Sequence, residues 1–177
     1  MPAAALLLAE GSKDLLGAVL QTGGGRATSL RAAQVRYVPG RSITVQYSAD
    51  VRGDDGRRSR ETLVASAGGE HPEGVAVMAA DGIEVAVWRF PSDPHLPGLR
   101  SAVASQRVGA LLTSHGAEPG AVQVRTRAYR AGRRAVVEVT GGSNRIYLKV
   151  VRPGRVAALH ELHVALAAHV TVPRSLG

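Results

Sequence analysis

One stretch decides how the second half of this 177-residue chain folds: Arg145-Ile146-Tyr147-Leu148-Lys149-Val150-Val151. This short run is apolar apart from Arg145 and Lys149, it is closed by Pro153-Gly154, and it is typical of a β-strand. Because successive side chains of a strand point to opposite faces, Tyr147, Lys149 and Val151 share one face of the predicted sheet. Lys149 is one of only two lysines in the chain, so the pattern places a rare residue type on a defined face.

The strand pattern alone leaves two interpretations of Lys149. On an antiparallel strand with one face in water, a lysine is an ordinary solvent-facing residue. Alternatively, its ammonium group binds phosphate over a cleft, as lysines do in nucleotide sites. The strand by itself favours a solvent-facing lysine, and the case for a phosphate-binding lysine depends on the elements around it.

The elements around Lys149 are predicted from turn residues and apolar runs. Strands at 121–129 and 134–140 precede it, and helices at 99–114 and 155–169 lie at either end of the half. Gly132 lies in the first turn together with arginines, and a glycine turn of this kind can cover phosphates with its backbone N–H groups. The turn at 141–144 leads directly into the Lys149 strand.

The first half has a similar organisation. A helix is predicted at 12–20, and the predicted strands are 28–38, 42–51, 61–67, 74–80 and 83–90, with Asp81-Gly82 as a hairpin turn between the last two. Three prolines in 91–98 force extended backbone, so a boundary is predicted there, between units 1–95 and 96–177. The predicted fold class is α+β, with two small antiparallel sheets that each pack against a helix.

The two halves also match each other at an offset of 92 residues. One interpretation is a duplicated helix-plus-hairpin unit, and the other is chance matching in a sequence rich in Ala, Gly and Arg. The matching positions are Gly17 to Leu20 with Gly109 to Leu112, and Tyr37, Gly40, Arg41 and Val45 with Tyr129, Gly132, Arg133 and Val137.

Composition excludes several kinds of chemistry. The chain has no cysteine, which excludes disulfides, thiolate metal sites and cysteine nucleophiles. The first residues lack the features of a signal peptide, and the longest apolar runs are much shorter than the roughly 20 residues that a membrane span needs. We therefore expect a cytoplasmic protein without membrane partners. Residues 96–177 hold 12 Lys and Arg against three acids, whereas residues 1–95 are nearly balanced. A basic half attracts phosphates or an acidic partner surface.

Three stretches, 128–137, 147–154 and 172–177, carry a resemblance to a known family. They resemble the N-terminal lobe of actinobacterial aminoglycoside phosphotransferase-like kinases, which include maltokinase-like and glucosamine-kinase-like enzymes. Residues 37–42 and 88–94 are similar to the extra N-terminal cap subdomain that some of these enzymes carry. The resemblance covers nearly all of the chain, but only the first part of a family protein. It implies a protein-kinase-like N-lobe, preceded by a cap subdomain and lacking the C-terminal catalytic lobe.

The family resemblance also implies roles for individual residues. It implies that ATP is the cofactor, that Lys149 binds its α- and β-phosphates, and that Gly132 and Arg133 belong to the turn that covers the nucleotide. It further implies that a glutamate on the next helix orients the lysine, and Glu161 is the only acid there. Helical spacing places Glu161 off the stripe of Leu159, Leu162 and Leu166, so a solvated helix residue is the alternative.

The predicted chemistry is incomplete within this sequence. A phosphotransferase of this kind needs a catalytic aspartate and magnesium ligands from its C-terminal lobe, and no aspartate follows Asp93. We therefore expect no catalytic residue in this chain and no kinase activity from it alone. Magnesium and the small-molecule acceptor, a sugar or an aminoglycoside, are expected to bind only with that lobe.

Two other functions compete with the nucleotide-binding interpretation. A stand-alone basic binding module is one, since five arginines crowd the hairpin of the second half. That hairpin offers only Tyr129 for base stacking, and single-strand binders use several aromatics, so nucleic acid is not expected as a partner. The other is a structural protein that assembles through exposed sheet edges.

Overall fold

The computed structural model describes residues 2–9, 11–22, 24–69, 71–80, 82–118, 120–141, 144–172 and 175. The chain divides into two compact units, Met1–Pro94 and His95–Gly177. The first contains a five-stranded antiparallel sheet and the second a three-stranded one. The predicted α+β class with two small antiparallel sheets is therefore confirmed, whereas its likeness to a kinase lobe stays a prediction.

The first unit packs two helices on one sheet of strand order β1-β2-β3-β5-β4. The predicted strands all form, and the helix α1 is an addition to the prediction. The hydroxyl of Tyr47 donates to the carbonyl of Leu7 at 2.5 Å, which ties the end of α1 to the sheet. Asp81 of the predicted hairpin turn lies outside the described residues. The elements are α1 (Pro2–Leu8), α2 (Gly11–Gln21), β1 (Gly25–Val38), β2 (Ser42–Gly53), β3 (Arg58–Ala67), β4 (Ala76–Ala80) and β5 (Ile83–Arg89).

The core of the first unit follows from the period of two in its strands. Alternate residues of β2, from Ile43 to Val51, are buried and lie on the face that α1 and α2 cover. Leu7, Leu16 and Leu20 of the helices are fully buried against this face.

The second unit contains a sheet of order β6-β7-β8. Its three strands form where the sequence predicts them, and the hairpin residues 142 and 143 lie outside the described part of the chain. The elements are α3 (Leu99–Ala102), α4 (Ser105–Ser114), β6 (Gln123–Arg130), β7 (Arg134–Gly141), β8 (Asn144–Val151), a short 3₁₀ turn (Pro153–Arg155) and α5 (Val156–Ala167).

The prediction of one helix over 99–114 is wrong, because the segment forms two helices, α3 and α4. Ala104 adopts an extended conformation between them, with φ −97° and ψ 106°. On one straight helix, the buried pair Leu99 and Ala102 would lie about 130° around the axis from the buried pair Val108 and Leu112. The break at Ala104 allows both pairs to be buried.

Both units use the same helix-plus-hairpin arrangement at the predicted offset. Tyr37 pairs with Ile43 in the first hairpin, and Tyr129 pairs with Ala135, the equivalent position, in the second. Each turn contains a glycine at positive φ, 69° at Gly40 and 66° at Gly132, a conformation that other L residues rarely adopt. The environments differ, because Tyr37 is exposed and Tyr129 is buried.

None of the helices within the described ranges is long and apolar enough to cross a membrane. The longest of them, α5, has 12 residues, and a span needs about 20.

Candidate functional site

The three-stranded sheet has one covered face and one open face. Val108 and Leu112 of α4 pack against Val139, and Ile146 and Leu148 complete this apolar layer. Since Ile146 and Leu148 point towards α4, Tyr147 and Lys149 point the other way, which confirms the predicted alternation. We call this second side the open face. Strand register and contacts assign to it Arg125, Arg127 and Arg130 of β6, Arg134, Val136 and Glu138 of β7, and Arg145, Tyr147 and Lys149 of β8.

Lys149 is exposed on the open face, close to the turn that joins β6 and β7. It lies opposite Val136, and the next residue on its face, Val151, pairs with Arg134 at the end of that turn. Within the described residues, no ion pair joins its ammonium group to a carboxylate. The charge of Lys149 is therefore directed at solvent from a fixed position on the sheet.

Glu138 is the buried residue at the centre of the open face, with only 5% of its surface exposed. Arg127 reaches its Oε2 with two nitrogens, Nε at 2.8 Å and Nη2 at 2.5 Å. On the other side the hydroxyl of Tyr147 donates to Oε1 at 3.2 Å, and Arg145 Nε lies 3.5 Å from the same oxygen. One carboxylate on β7 thus joins side chains of both neighbouring strands.

The partners of Glu138 keep it ionised. Desolvation by itself raises the pKa of a carboxyl group, because burial disfavours the charged form. Here the hydrogen bonds from Arg127 and Tyr147, together with the charges of Arg127 and Arg145, outweigh desolvation and hold the pKa of Glu138 below its ordinary value. Glu138 is consequently an anion that fixes two guanidinium groups and one phenol in place.

The open face is strongly basic. Among the described residues, Glu138 is the one carboxylate of this face, and the same face carries six cationic side chains. A surface with this balance attracts anions and raises their local concentration. The six cations are Arg125, Arg127, Arg130, Arg134, Arg145 and Lys149.

The Gly132 turn is packed and held in place. The N–H of Arg133 donates to the carbonyl of Arg130 at 3.0 Å, which closes the turn, and Arg152 Nε donates to the carbonyl of Gly132 at 2.7 Å. Gly132 is buried, and a Cβ atom added there would lie 3.1 Å from Cδ2 of His95. The turn therefore requires glycine both for its positive φ and for this close approach. Arg133, the adjacent predicted residue, is exposed.

Glu161, the predicted partner of Lys149, makes no ion pair with it in the described part of the chain. Glu161 is exposed on α5. The leucine stripe beside it is only partly buried, because Leu162 is 54% exposed and Leu166 is 40% exposed. The predicted orienting contact is thus not made in this structure.

Sequence reasoning missed two residues of the site, Glu138 and Tyr147. Tyr147 is 54% exposed on the face of Lys149, whereas Tyr129, the residue expected to be available for stacking, is only 8% exposed. The alternation of side chains in the Lys149 strand already places Tyr147 on the same face as Lys149, so its position was predictable. For Glu138 the signal was weaker: a single acid inside the apolar run 135–139, next to an arginine-rich strand.

Comparisons with protein-family models, with curated proteins and with solved structures find no match. The described residues contain no group of three or more His, Cys, Asp or Glu side chains that could hold a metal ion.

Proposed function

We propose that the second unit is the nucleotide-binding lobe of an ATP-dependent small-molecule phosphotransferase that acts on a sugar or an aminoglycoside. In this proposal Lys149 binds the α- and β-phosphates of ATP. The observation that carries the proposal is the exposed ammonium group of Lys149 on a basic face. Glu138, the carboxylate of that face, is already bonded to Arg127 and Arg145. The charge of Lys149 is thus available to a phosphate ligand.

The turn at Gly132 supports the same proposal. Lys149 lies near the end of the sheet where β6 and β7 are joined, and the turn that joins them carries the exposed residue Arg133. Arg133 adds a second cation, and guanidinium groups bind phosphates through paired hydrogen bonds. Because Arg152 anchors the carbonyl of Gly132, the turn is formed before any ligand arrives.

Phosphoryl transfer requires residues beyond these. The reaction needs a carboxylate that positions the acceptor hydroxyl and carboxylate or amide ligands for magnesium. Residues 96–177 contain three acids, Glu118, Glu138 and Glu161, and no aspartate. Glu138 is committed to two arginines, and we assign no catalytic role to the other two. In this proposal the lobe binds ATP, while other residues supply the catalytic groups, magnesium and the acceptor pocket.

Isothermal titration of the purified chain with ATP tests the proposal. We expect Lys149→Ala to weaken ATP binding at least about tenfold, since one charge-assisted hydrogen bond to phosphate is lost. Lys13→Ala is the matched control, because Lys13 is the other lysine of the chain and lies in the first unit. The proposal fails if the wild-type chain does not bind ATP, or if both variants bind it equally well.

A further inference from the structure

An exposed aromatic ring lies among the cations of the open face. Tyr147 is 54% exposed, and its hydroxyl is bonded to Glu138, so the ring is held at a fixed place on the sheet. Arg145 and Lys149 flank it on the same face of β8, each about 7 Å away along the strand. The result is a planar apolar surface with a positive charge on either side along one strand.

More cations lie across the sheet from the ring. Arg125 is in register with Glu138, which is in register with Tyr147, so the three form a row across the strands. Since neighbouring strands are about 4.8 Å apart, Arg125 lies on a strand about 10 Å from that of Tyr147. With Arg130 and Arg134 at the turn, the positive charge extends over the length and width of the sheet. It covers more surface than a single triphosphate group can contact.

We propose that the open face binds single-stranded nucleic acid, with one unpaired base stacked on Tyr147 and the neighbouring phosphates bound by Arg145, Lys149 and the arginines of β6. Aromatic rings stack on any base, and cations that follow the backbone supply affinity independent of sequence. An unpaired strand is required, because the faces of bases within a duplex are already stacked on each other.

Glu138 is the positioning residue of this surface. Its carboxylate draws Arg127 and Arg145 towards it from opposite sides and bonds the Tyr147 hydroxyl. Without it, two guanidinium groups would repel each other across the strands and the ring would lose its hydrogen bond. The expectation that nucleic acid is not a partner rested on the hairpin offering only Tyr129 for stacking, where single-strand binders use several aromatics. The structure buries Tyr129 and exposes Tyr147 instead, so the inference places one base on the ring of Tyr147 and assigns the rest of the affinity to the cations around it.

Fluorescence anisotropy with a labelled oligothymidine of about 12 nucleotides tests this inference on the full chain. Binding should weaken as salt rises, with a logarithmic slope of about −0.7 for each phosphate contact. Tyr147→Ala should weaken binding about tenfold, whereas Tyr147→Phe, which keeps the ring, should retain most of the affinity. Tyr37→Ala is the matched control, because Tyr37 is 48% exposed on a strand of the other unit and should have no effect.

Two competing ligands distinguish base stacking from simple attraction of phosphates. A duplex of the same length should compete less well than the single strand. Inorganic polyphosphate should bind Tyr147→Ala as well as it binds the wild-type chain, because it has no bases to stack. The inference is overturned if oligothymidine does not bind at low salt, if Tyr147→Ala binds it like wild type, or if the duplex binds equally well.

The same titrations separate this inference from the nucleotide proposal. A chain that binds ATP and not oligothymidine supports the phosphotransferase lobe and overturns the single-strand surface. A chain that binds oligothymidine with the Tyr147 dependence, but not ATP, does the reverse.

Discussion

Glu138 shows how much of the open face depends on one side chain. Its carboxylate accepts hydrogen bonds from Arg127 of β6 and Tyr147 of β8 and forms an ion pair with Arg145, and the residue is only 5% exposed. A buried carboxylate without such partners would be neutral or strongly destabilising. Alternation along one strand is a local property, so the face of Lys149 was predictable. The burial of Glu138 was not, because it arises only when three strands bring their side chains together.

The lowered pKa of Glu138 predicts how stability depends on pH. Because the unfolded chain binds this proton more readily, the contribution of Glu138 to folding is complete above its ordinary pKa of 4.5 and is lost as the pH falls towards the lower folded value. We expect urea denaturation to show that wild-type stability decreases through this linkage as the pH falls below about 4.5.

Glu138→Gln is the comparison that isolates this contribution. The variant should be less stable than wild type at pH 7, and the difference should shrink as the pH falls below about 4.5. Subtracting the two pH profiles removes contributions common to both proteins, including that of Asp50, whose pKa is also lowered, by Ser29 and Arg60. A constant difference from pH 7 to pH 3 would show that the bonds to Arg127 and Tyr147 do not require ionised Glu138.

At the scale of elements, the two hairpins show which features of the fold are determined by residues that are close in sequence. Turn glycines and strand alternation are properties of a few consecutive residues, so the strands and turns of both units were predictable. The break at Ala104 and the helix α1 were not. Both depend on distant partners: the separate burial of Leu99 and Val108, and the hydrogen bond from Tyr47 to Leu7.

The paired glycines Gly40 and Gly132 permit a controlled test of the β6–β7 turn. Both have φ near 70° at equivalent positions, so alanine at either should cost about 1–2 kcal/mol of backbone strain. At Gly40 the added methyl group meets open space, whereas at Gly132 it would lie 3.1 Å from His95.

Gly132→Ala should therefore destabilise the chain more than Gly40→Ala in urea denaturation. It should also weaken ATP binding in the same titration used for Lys149, because the turn anchored by Arg152 would shift. Equal effects of the two substitutions on stability would mean that the packing of His95 against the turn contributes nothing.

For the whole molecule, the positive charge lies mainly in the second unit, which both proposals make the anion-binding unit. The second half carries a net charge of +9, and six of its twelve cationic residues lie on one side of a three-stranded sheet whose other side is covered by α4. The first unit is nearly neutral and buries its core between a five-stranded sheet and two helices. Each unit also contains one lysine, Lys13 in the first and Lys149 in the second, which makes the chain well suited to a lysine-specific probe.

The most direct test of the central claim is labelling with an acyl phosphate of ATP, which transfers its acyl group to a lysine beside the bound phosphates. The account predicts that peptide mass spectrometry finds Lys149 acylated far more than Lys13, and that excess ATP prevents the labelling of Lys149. Equal labelling of Lys13 and Lys149, or labelling of Lys149 that excess ATP leaves unchanged, would contradict it.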